Sequence, residues 1–148
     1  MGIRVFLGTF FHNLDKKGRL FIPSKFRPQL EHGFVIAKGI NEKCLFLFTF
    51  DEFTSLENKI KALPISRKKV QEYARWISSS ASEEFIDQQG RVTIPAALRE
   101  YAELEKEIAL IGVWGRIEIW SRENWDKFFK KADKEFLEIS KDIEDFGF

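Results

Sequence analysis

Residues 15–27 read DKKGRLFIPSKFR, and residues 87–99 read DQQGRVTIPAALR. The two segments start seventy-two residues apart and agree at six positions, namely the Asp, Gly, first Arg, Ile, Pro and final Arg of each. The same spacing recurs downstream, where it aligns Leu45, Leu47, Phe48 and Phe53 with Ile117, Ile119, Trp120 and Trp125. Similarity at a fixed spacing indicates two copies of one folding unit of roughly 50 residues.

Each copy of the repeated segment begins with a tight turn. Asp15 and Gly18 occupy the first and fourth positions of one turn, and Asp87 and Gly90 those of the other, which is typical of type I turns. Short strands are predicted beside the first turn, at Phe10–Leu14 and Arg19–Ile22. A brief helix over Ser24–Arg27 should follow Pro23 and be ended or kinked by Pro28, whereas the helix after Pro95 can run longer.

A second hairpin and an amphipathic helix complete each copy. The hairpins are predicted at Phe34–Ala37 with Leu45–Phe48, and at Ile108–Ile111 with Ile117–Trp120. Thr49 and Glu52 form a capping-box pattern, while Ser66 and Ser121 are candidate caps for a linker helix and for the last helix. The faces expected to point inward are Phe53, Leu56, Ile60 and Leu63; Val70, Tyr73, Ala74 and Ile77; and Trp125, Phe128, Phe129, Ala132 and Phe136.

One such unit has too little apolar area for a stable core, so two units should pack together about a pseudo-two-fold axis. We therefore predict an α+β fold that is mainly β. The expected divisions are a first repeat at 9–52, a helical linker at 53–80, a second repeat at 81–124, and a C-terminal helix and tail at 125–148. Whether the two turns lie on one face does not follow from their spacing.

Composition excludes several classes of protein. The 148 residues include 16 Phe and 4 Trp, more apolar area than a disordered chain carries. The single cysteine, Cys44, cannot form an intramolecular disulfide. The early apolar run Val5–Phe11 is too short to span a membrane, and no cleavage site of the signal-peptide type follows it. We expect a soluble, cytoplasmic protein.

Charge is distributed unevenly although the net charge is only +1. Residues 1–30 contain six basic side chains and one acidic one, and residues 59–75 show the same ratio. Residues 100–126 contain seven acidic and three basic side chains. Such asymmetry creates local fields that the total conceals. The excess of basic residues at 59–75 is explained adequately by a solvated helix face. The basic block at 1–30 is more informative because it coincides with the repeat.

The repeated motifs resemble the MraZ family. The first half resembles it at Phe6–Phe10, Asn13–Leu20, Ile22-Pro23 and Phe26-Arg27. The second half resembles it at Ala81–Glu83, Asp87–Arg91, Ile94-Pro95, Leu98-Arg99, Leu110–Gly112 and Glu118–Trp120. Two features depart from the family pattern: Gly2–Val5 are either an extension beyond the usual start or the result of a mis-assigned start, and Pro28 interrupts a helix that commonly continues.

The resemblance implies two fused SpoVT/AbrB-type swapped-hairpin modules. It also implies a bacterial DNA-binding transcriptional regulator, more often a repressor, at the promoter of the division and cell-wall gene cluster. A ring-shaped homo-oligomer on the nucleoid is the expected assembly, with double-stranded DNA carrying promoter repeats as its partner.

The candidate DNA-binding residues lie in and beside the two turns. Arg19 and Arg91 directly follow the turns, and a guanidinium held on a rigid hairpin suits guanine edges or phosphate oxygens. The other candidates for contact are Lys16, Lys17, Lys25, Gln88 and Gln89, while Asp15, Gly18, Asp87 and Gly90 should support the turns. The alternative is purely structural: each Arg pairs with the Asp four residues earlier, and the motif is a turn and nothing more.

The sequence offers little support for an enzyme. His12 and His32 are the only histidines, and one cysteine cannot complete an ordinary zinc cluster. Cys44 is expected to be a buried small hydrophobic residue, and Glu83 and Glu84 would point to opposite faces of a strand. We predict no catalysis, no metal or other cofactor and no small-molecule substrate. An oligomeric scaffold without specific DNA binding is the remaining alternative.

Overall fold

The computed structural model describes residues 5–147, so most of the extension at Gly2–Val5 and the final Phe148 lie outside the described residues. Its strands are β1 Phe6–Asn13, β2 Arg19–Phe21, β3 Phe34–Lys38, β4 Leu45–Phe48, β5 Ser82–Glu84, β6 Arg91–Thr93, β7 Glu107–Trp114 and β8 Arg116–Ser121. Its α-helices are α1 Phe50–Lys61, α2 Arg67–Ser80, α3 Ala96–Tyr101 and α4 Arg122–Asp145. Between residues 5 and 147, none of these helices is long and apolar enough to cross a membrane.

The two repeats are interleaved rather than side by side. Six strands form one antiparallel sheet in the order β1-β7-β8-β4-β3-β5, and β2 pairs with β6 in a separate two-stranded ribbon. Strand β1 of the first repeat therefore pairs with β7 of the second, and β5 of the second pairs with β3 of the first. This exchange of strands confirms the predicted α+β fold with two tandem modules.

Two cores hold the layers together. One lies between the large sheet and the ribbon, and it contains Leu20 and Val92 from the ribbon together with Phe26 and Leu98 from the segments that follow. The ring of Phe26 meets those of Phe6 and Phe10 edge-on, with centroids 5.3 and 5.2 Å away. The other core lies on the opposite face of the sheet, under the helices, and includes Phe46, Phe48, Ile77, Ala109 and Trp120.

Three predicted helix caps are confirmed. The hydroxyls of Thr49, Ser66 and Ser121 accept hydrogen bonds from backbone N–H groups three residues later, at 3.3, 3.2 and 3.1 Å. Only half of the capping box at Thr49 forms. The Glu52 carboxylate lies beside Gly115, 2.8 Å from where a Cβ would stand there, and among the described residues it makes no return bond to Thr49.

The predicted helix over Ser24–Arg27 is wrong. A turn closed by the hydrogen bond from Phe26 N to Pro23 O occupies this position, and a 3₁₀ helix follows at Arg27–Leu30. Pro28 lies in the first turn of that helix, where its missing N–H costs no internal hydrogen bond. Pro28 therefore begins a helical segment instead of ending one.

The predicted inward faces of the later helices are partly wrong. Leu63 lies beyond the end of α1 and is exposed, and Ala74 of α2 is exposed as well. In α4, Trp125 meets the ring of Trp120 edge-on and Phe128 packs on it at a tilt, with ring centroids 5.6 and 5.4 Å away. From Phe129 onward the apolar side of the helix is largely uncovered, and no residue of α4 is fully buried. The pattern identified an amphipathic helix but not what covers it.

Candidate nucleic-acid interface

The ribbon of β2 and β6 brings the two turns together on one face. Arg19 pairs with Thr93, Leu20 with Val92, and Phe21 with Arg91. Residues directly opposite each other, and residues two apart on one strand, share a face of a ribbon. Arg19 and Arg91 therefore share the outward face with Phe21 and Thr93, while Leu20 and Val92 point into the core. Strand spacings place the Cα atoms of the two arginines roughly 8 Å apart.

The first turn is closed by the Asp15 carboxylate. One of its oxygens accepts from the backbone N–H groups of Lys17 and Arg19, both at 2.9 Å, and the other accepts from Arg19 Nε at 2.6 Å. Gly18 N donates to the Asp15 carbonyl at 3.0 Å. The backbone N–H of Arg19, helped by its guanidinium, lowers the pKa of the Asp15 carboxyl against a smaller opposing effect of burial. The carboxylate thus fixes both the turn and the side chain of Arg19.

The second turn repeats this arrangement. Asp87 accepts from the backbone N–H groups of Gln89 and Arg91 at 2.9 Å and from Arg91 Nε at 3.1 Å. Its pKa is lowered too, chiefly by the backbone N–H of Arg91. Both arginines are held by their Nε edge, and within residues 5–147 their terminal Nη groups make no hydrogen bond. Those groups therefore keep their donors for a ligand.

Two further arginines lock the turns to each other, and sequence reasoning assigned them no role. The guanidinium of Arg27 packs on the turn of the other repeat at Gly90, and that of Arg99 packs on Gly18. Each Nε donates to a backbone carbonyl of its own repeat, Arg27 to Ile22 O at 2.7 Å and Arg99 to Ile94 O at 3.0 Å. The sequence did contain a sign of this role, because Arg27 and Arg99 are one of the six identities between the two repeated segments.

Backbone hydrogen bonds complete this crossed arrangement. Ile22 N donates to Gly90 O at 2.9 Å, and Ile94 N donates to Gly18 O at 2.8 Å. Gly18 and Gly90 adopt φ values of +78° and +85°, which favour glycine because other residues meet steric strain there. Each turn is consequently fastened to the strand that follows the other turn.

The predicted cationic and amide contacts surround the turns. Lys16 and Lys17 form the exposed middle of the first turn, and Gln88 and Gln89 form that of the second. Lys25 is exposed in the turn after Pro23. Arg19 and Arg91 are less open, with side chains 29% and 21% exposed. Phe21, exposed on the same face, is an additional surface residue that the sequence did not single out.

The residues considered for catalysis do not form a site. Cys44 is fully buried, and burial raises the pKa of its thiol, so the nucleophilic thiolate is disfavoured. Within the part of the chain that the structure describes, no three His, Cys, Asp or Glu side chains are grouped to hold a metal ion. The absence of a cofactor from the protein's function remains a prediction.

Comparison with protein families matches this chain twice to one family model. The model is described as "MraZ protein, putative antitoxin-like", and it matches residues 5–75 and again residues 77–146. Each match contains one Asp-x-x-Gly-Arg turn, in agreement with the internal repeat. The two matches together cover nearly the whole chain, and the chain therefore belongs to the MraZ family.

Proposed function

We propose that this protein is a sequence-specific DNA-binding transcriptional regulator that contacts duplex DNA through its two turns. The observation that carries this proposal is the common outward face of Arg19 and Arg91 on one ribbon. Membership of the MraZ family, a regulator-type family, supports the general role. In its finer form the proposal is a repressor at the promoter of the division and cell-wall genes, which acts as a ring-shaped homo-oligomer on the nucleoid in the cytoplasm.

The geometry of the turns suits recognition of nucleic acid. A guanidinium has donors on both Nη atoms and can bind guanine O6 and N7 or two phosphate oxygens at once. Asp15 and Asp87 hold Arg19 and Arg91 by Nε, so less side-chain entropy is lost when the Nη groups bind. This arrangement favours arginines as base-reading residues rather than as mobile surface charges.

The remaining candidates divide into two classes. Lys16, Lys17 and Lys25 are positioned as phosphate contacts, which set affinity and its salt dependence without reading sequence. Gln88 and Gln89 replace two of these charges in the second turn, so that turn should contribute less to the salt dependence and can hydrogen-bond base edges. Gly18 and Gly90 act through the shape of the turns.

The repeat boundaries belong to the same proposal. We assign 9–52 and 81–124 to the two repeats, 53–80 to the linker, and 125–148 to the C-terminal helix and tail. Because the strands of the repeats pair with each other, these boundaries describe duplicated sequence and not two bodies that fold separately.

The decisive experiment measures binding of Arg19→Ala and Arg91→Ala to duplex DNA from the protein's own upstream region. Loss of a bidentate base contact costs about 1–3 kcal/mol, or about 5- to 150-fold in affinity, and an oligomer multiplies the loss. We expect Arg91→Ala to show the smaller effect because its turn has no lysine. Arg122→Ala is the matched control, since Arg122 also pairs with an Asp four residues away, Asp126 at 3.1 Å, but lies on α4.

Three results bear on the proposal. Weaker binding by both turn variants, with unchanged melting temperatures and unchanged binding by Arg122→Ala, would support it. Wild-type binding by both turn variants would show that the turns do not contact DNA. Assembly of the wild-type protein without salt-dependent binding to DNA would favour the oligomeric scaffold instead.

A further inference from the structure

The distal part of α4 carries an apolar stripe that its own chain does not cover. Phe129, Ala132, Phe136, Ile139 and Ile143 alternate at spacings of three and four residues, the repeat that places side chains along one side of a helix. All but Ala132 are exposed. Within the chain, the principal contacts of α4 are with β7 and β8, close to its start. Contiguous exposed apolar residues of this kind are a mark of interaction surfaces.

A groove of matching character lies between α1 and α2. Its volume is about 400 Å³, and its apolar lining includes Leu56 and Ile60 from α1 and Val70, Ala74 and Ile77 from α2. The groove is open to solvent, and all its lining residues lie in α1 and α2. The 14 residues of α2 span about 21 Å, and the part of α4 from residue 129 to 145 spans about 25 Å, so the two lengths are compatible.

The two surfaces have opposite charge. The part of α4 from residue 129 to 145 contains six acidic and four basic side chains, and its last part, 135–145, contains five acidic and one basic, with Glu135 and Asp142 directly beside the stripe. Residues 59–75, which run from the end of α1 into α2, contain six basic side chains and one acidic one. Lys61 lines the groove beside Glu57, with which it forms an ion pair at 2.8 Å, and Arg67 lies one helical turn before Val70. Opposite potentials on two apolar surfaces favour their association and fix its orientation.

We propose that α4 of one copy of this chain docks into the α1–α2 groove of a second copy. Because the helix and the groove are different surfaces, this contact is head-to-tail, and its repetition generates a ring where the rotation closes. The inference deepens the homo-oligomer of the proposed function by naming its two surfaces, and it rests on that part of the proposal alone. An amphipathic helix in an apolar groove is a common mode of recognition between proteins.

The first test compares two substitutions in α4 by sedimentation velocity at micromolar concentration. Ile139→Asp places a charge in the stripe, whereas Leu137→Asp, the matched control, places it on a more exposed side chain outside the stripe. Neither residue is part of a core, so both variants should fold. We expect Ile139→Asp to weaken assembly at least tenfold, toward the 17.4 kDa monomer, and Leu137→Asp to assemble as the wild type does. Unchanged assembly of Ile139→Asp would overturn the inference.

The second test exchanges the charges of the two surfaces. Glu135→Lys with Asp142→Lys should weaken assembly, and adding Lys61→Glu with Arg67→Glu should restore it. Glu138→Lys with Asp145→Lys changes the net charge equally on a side of α4 farther from the stripe and should have little effect. Failure of the fourfold variant to assemble better than either double variant would contradict the pairing of these surfaces.

Cross-linking distinguishes the groove from pairing of α4 with itself. Chains carrying Ala74→Cys and chains carrying Ser140→Cys should form a disulfide only after mixing, because the native Cys44 is buried. A disulfide between two Ser140→Cys chains would show that α4 pairs with itself and would refute docking into the groove.

DNA binding measured on the same variants separates the proposed interface from the proposed function. If a variant loses assembly but still binds short duplexes, the result concerns only the α4–groove interface. If assembly is intact and DNA is not bound, the result contradicts only the proposed function.

Discussion

Gly90→Ala is the substitution that tests the crossed arrangement of the two turns most directly. Gly90 has a φ of +85°, and a Cβ added there would stand 2.5 Å from Cζ of Arg27. The backbone of the turn is fixed by Asp87 and by the hydrogen bond from Ile22 N to Gly90 O. The Arg27 side chain is therefore the part that must move.

The substitution therefore has two energetic costs, one in the backbone and one from the movement of Arg27. Alanine in the left-handed region costs about 1–2 kcal/mol. Displacement of Arg27 breaks its 2.7 Å hydrogen bond to Ile22 O, a net loss of about 0.5–1.5 kcal/mol. Together they predict a destabilisation of about 1.5–3.5 kcal/mol. For a chain of this length that corresponds to a fall in melting temperature of roughly 5–10 °C.

A double-mutant cycle separates the two costs. In an Arg27→Ala background the collision is absent, so Gly90→Ala should cost only the backbone part, and the coupling energy should be about 0.5–1.5 kcal/mol. The symmetry-related pair is the internal control. A Cβ at Gly18 would stand 2.9 Å from Cζ of Arg99, whose own bond to Ile94 O is longer at 3.0 Å, so its coupling should be smaller.

The assay is thermal melting of the four variants of each cycle at one fixed protein concentration, because assembly makes the melting temperature concentration-dependent. Coupling near zero for Gly90 and Arg27 would refute the idea that the guanidinium fastens the turn. A larger coupling for Gly18 and Arg99 would contradict the order derived from the distances.

Three further predictions concern single residues. The lowered pKa of Asp15 means that its carboxylate stabilises the fold above the usual aspartate pKa of about 3.9, and that this contribution is lost as pH falls through the lower folded value. Melting scans between pH 5 and 2.5 should therefore show a shallower acid loss for Asp15→Asn than for the wild type. Cys44→Ser buries a hydroxyl and should cost about 1–3 kcal/mol, and the native thiol should resist alkylation until the protein unfolds. Glu118→Ala removes the acceptor of Trp120 Nε1 and of Arg116 and should cost roughly 1–3 kcal/mol in chemical denaturation, with Glu118→Gln less affected.

Local structure was predictable because short-range chemistry determines it. The Asp and Gly of each turn, the cap at Ser121 and the residues of the second hairpins follow from neighbours in sequence, and the structure confirms them. The sequence also contained enough information for the general fold, since a small repeated unit must find its core in a second copy. Pro28 was misjudged because proline is compatible with both the end and the first turn of a helix.

The positions of residues that are far apart in sequence but meet in the fold were not predictable from the spacing of the repeats. The common face of Arg19 and Arg91 depends on the register of β2 against β6, which residues far apart in sequence determine. The packing of Arg27 on Gly90 depends on the same register. The exposed stripe of α4 shows the limit of periodicity, because the pattern identifies an apolar face but carries no information about which surface covers it.

The register also gives the two turns a symmetry that bears on the proposed recognition of DNA. Leu20 pairs with Val92, its own equivalent in the second repeat, so the pseudo-two-fold axis passes between them, perpendicular to the ribbon. An axis in that direction keeps equivalent residues on the same face, which is why both arginines point outward. Their Cα separation of roughly 8 Å is far below the approximately 34 Å between half-sites one helical turn apart. One chain can therefore engage one stretch of groove, and a second half-site requires a second copy. The proposed binding to repeated sites and the proposed assembly through α4 thus meet the same geometric requirement. Ile139→Asp should therefore reduce the affinity for two adjacent sites much more than the affinity for one.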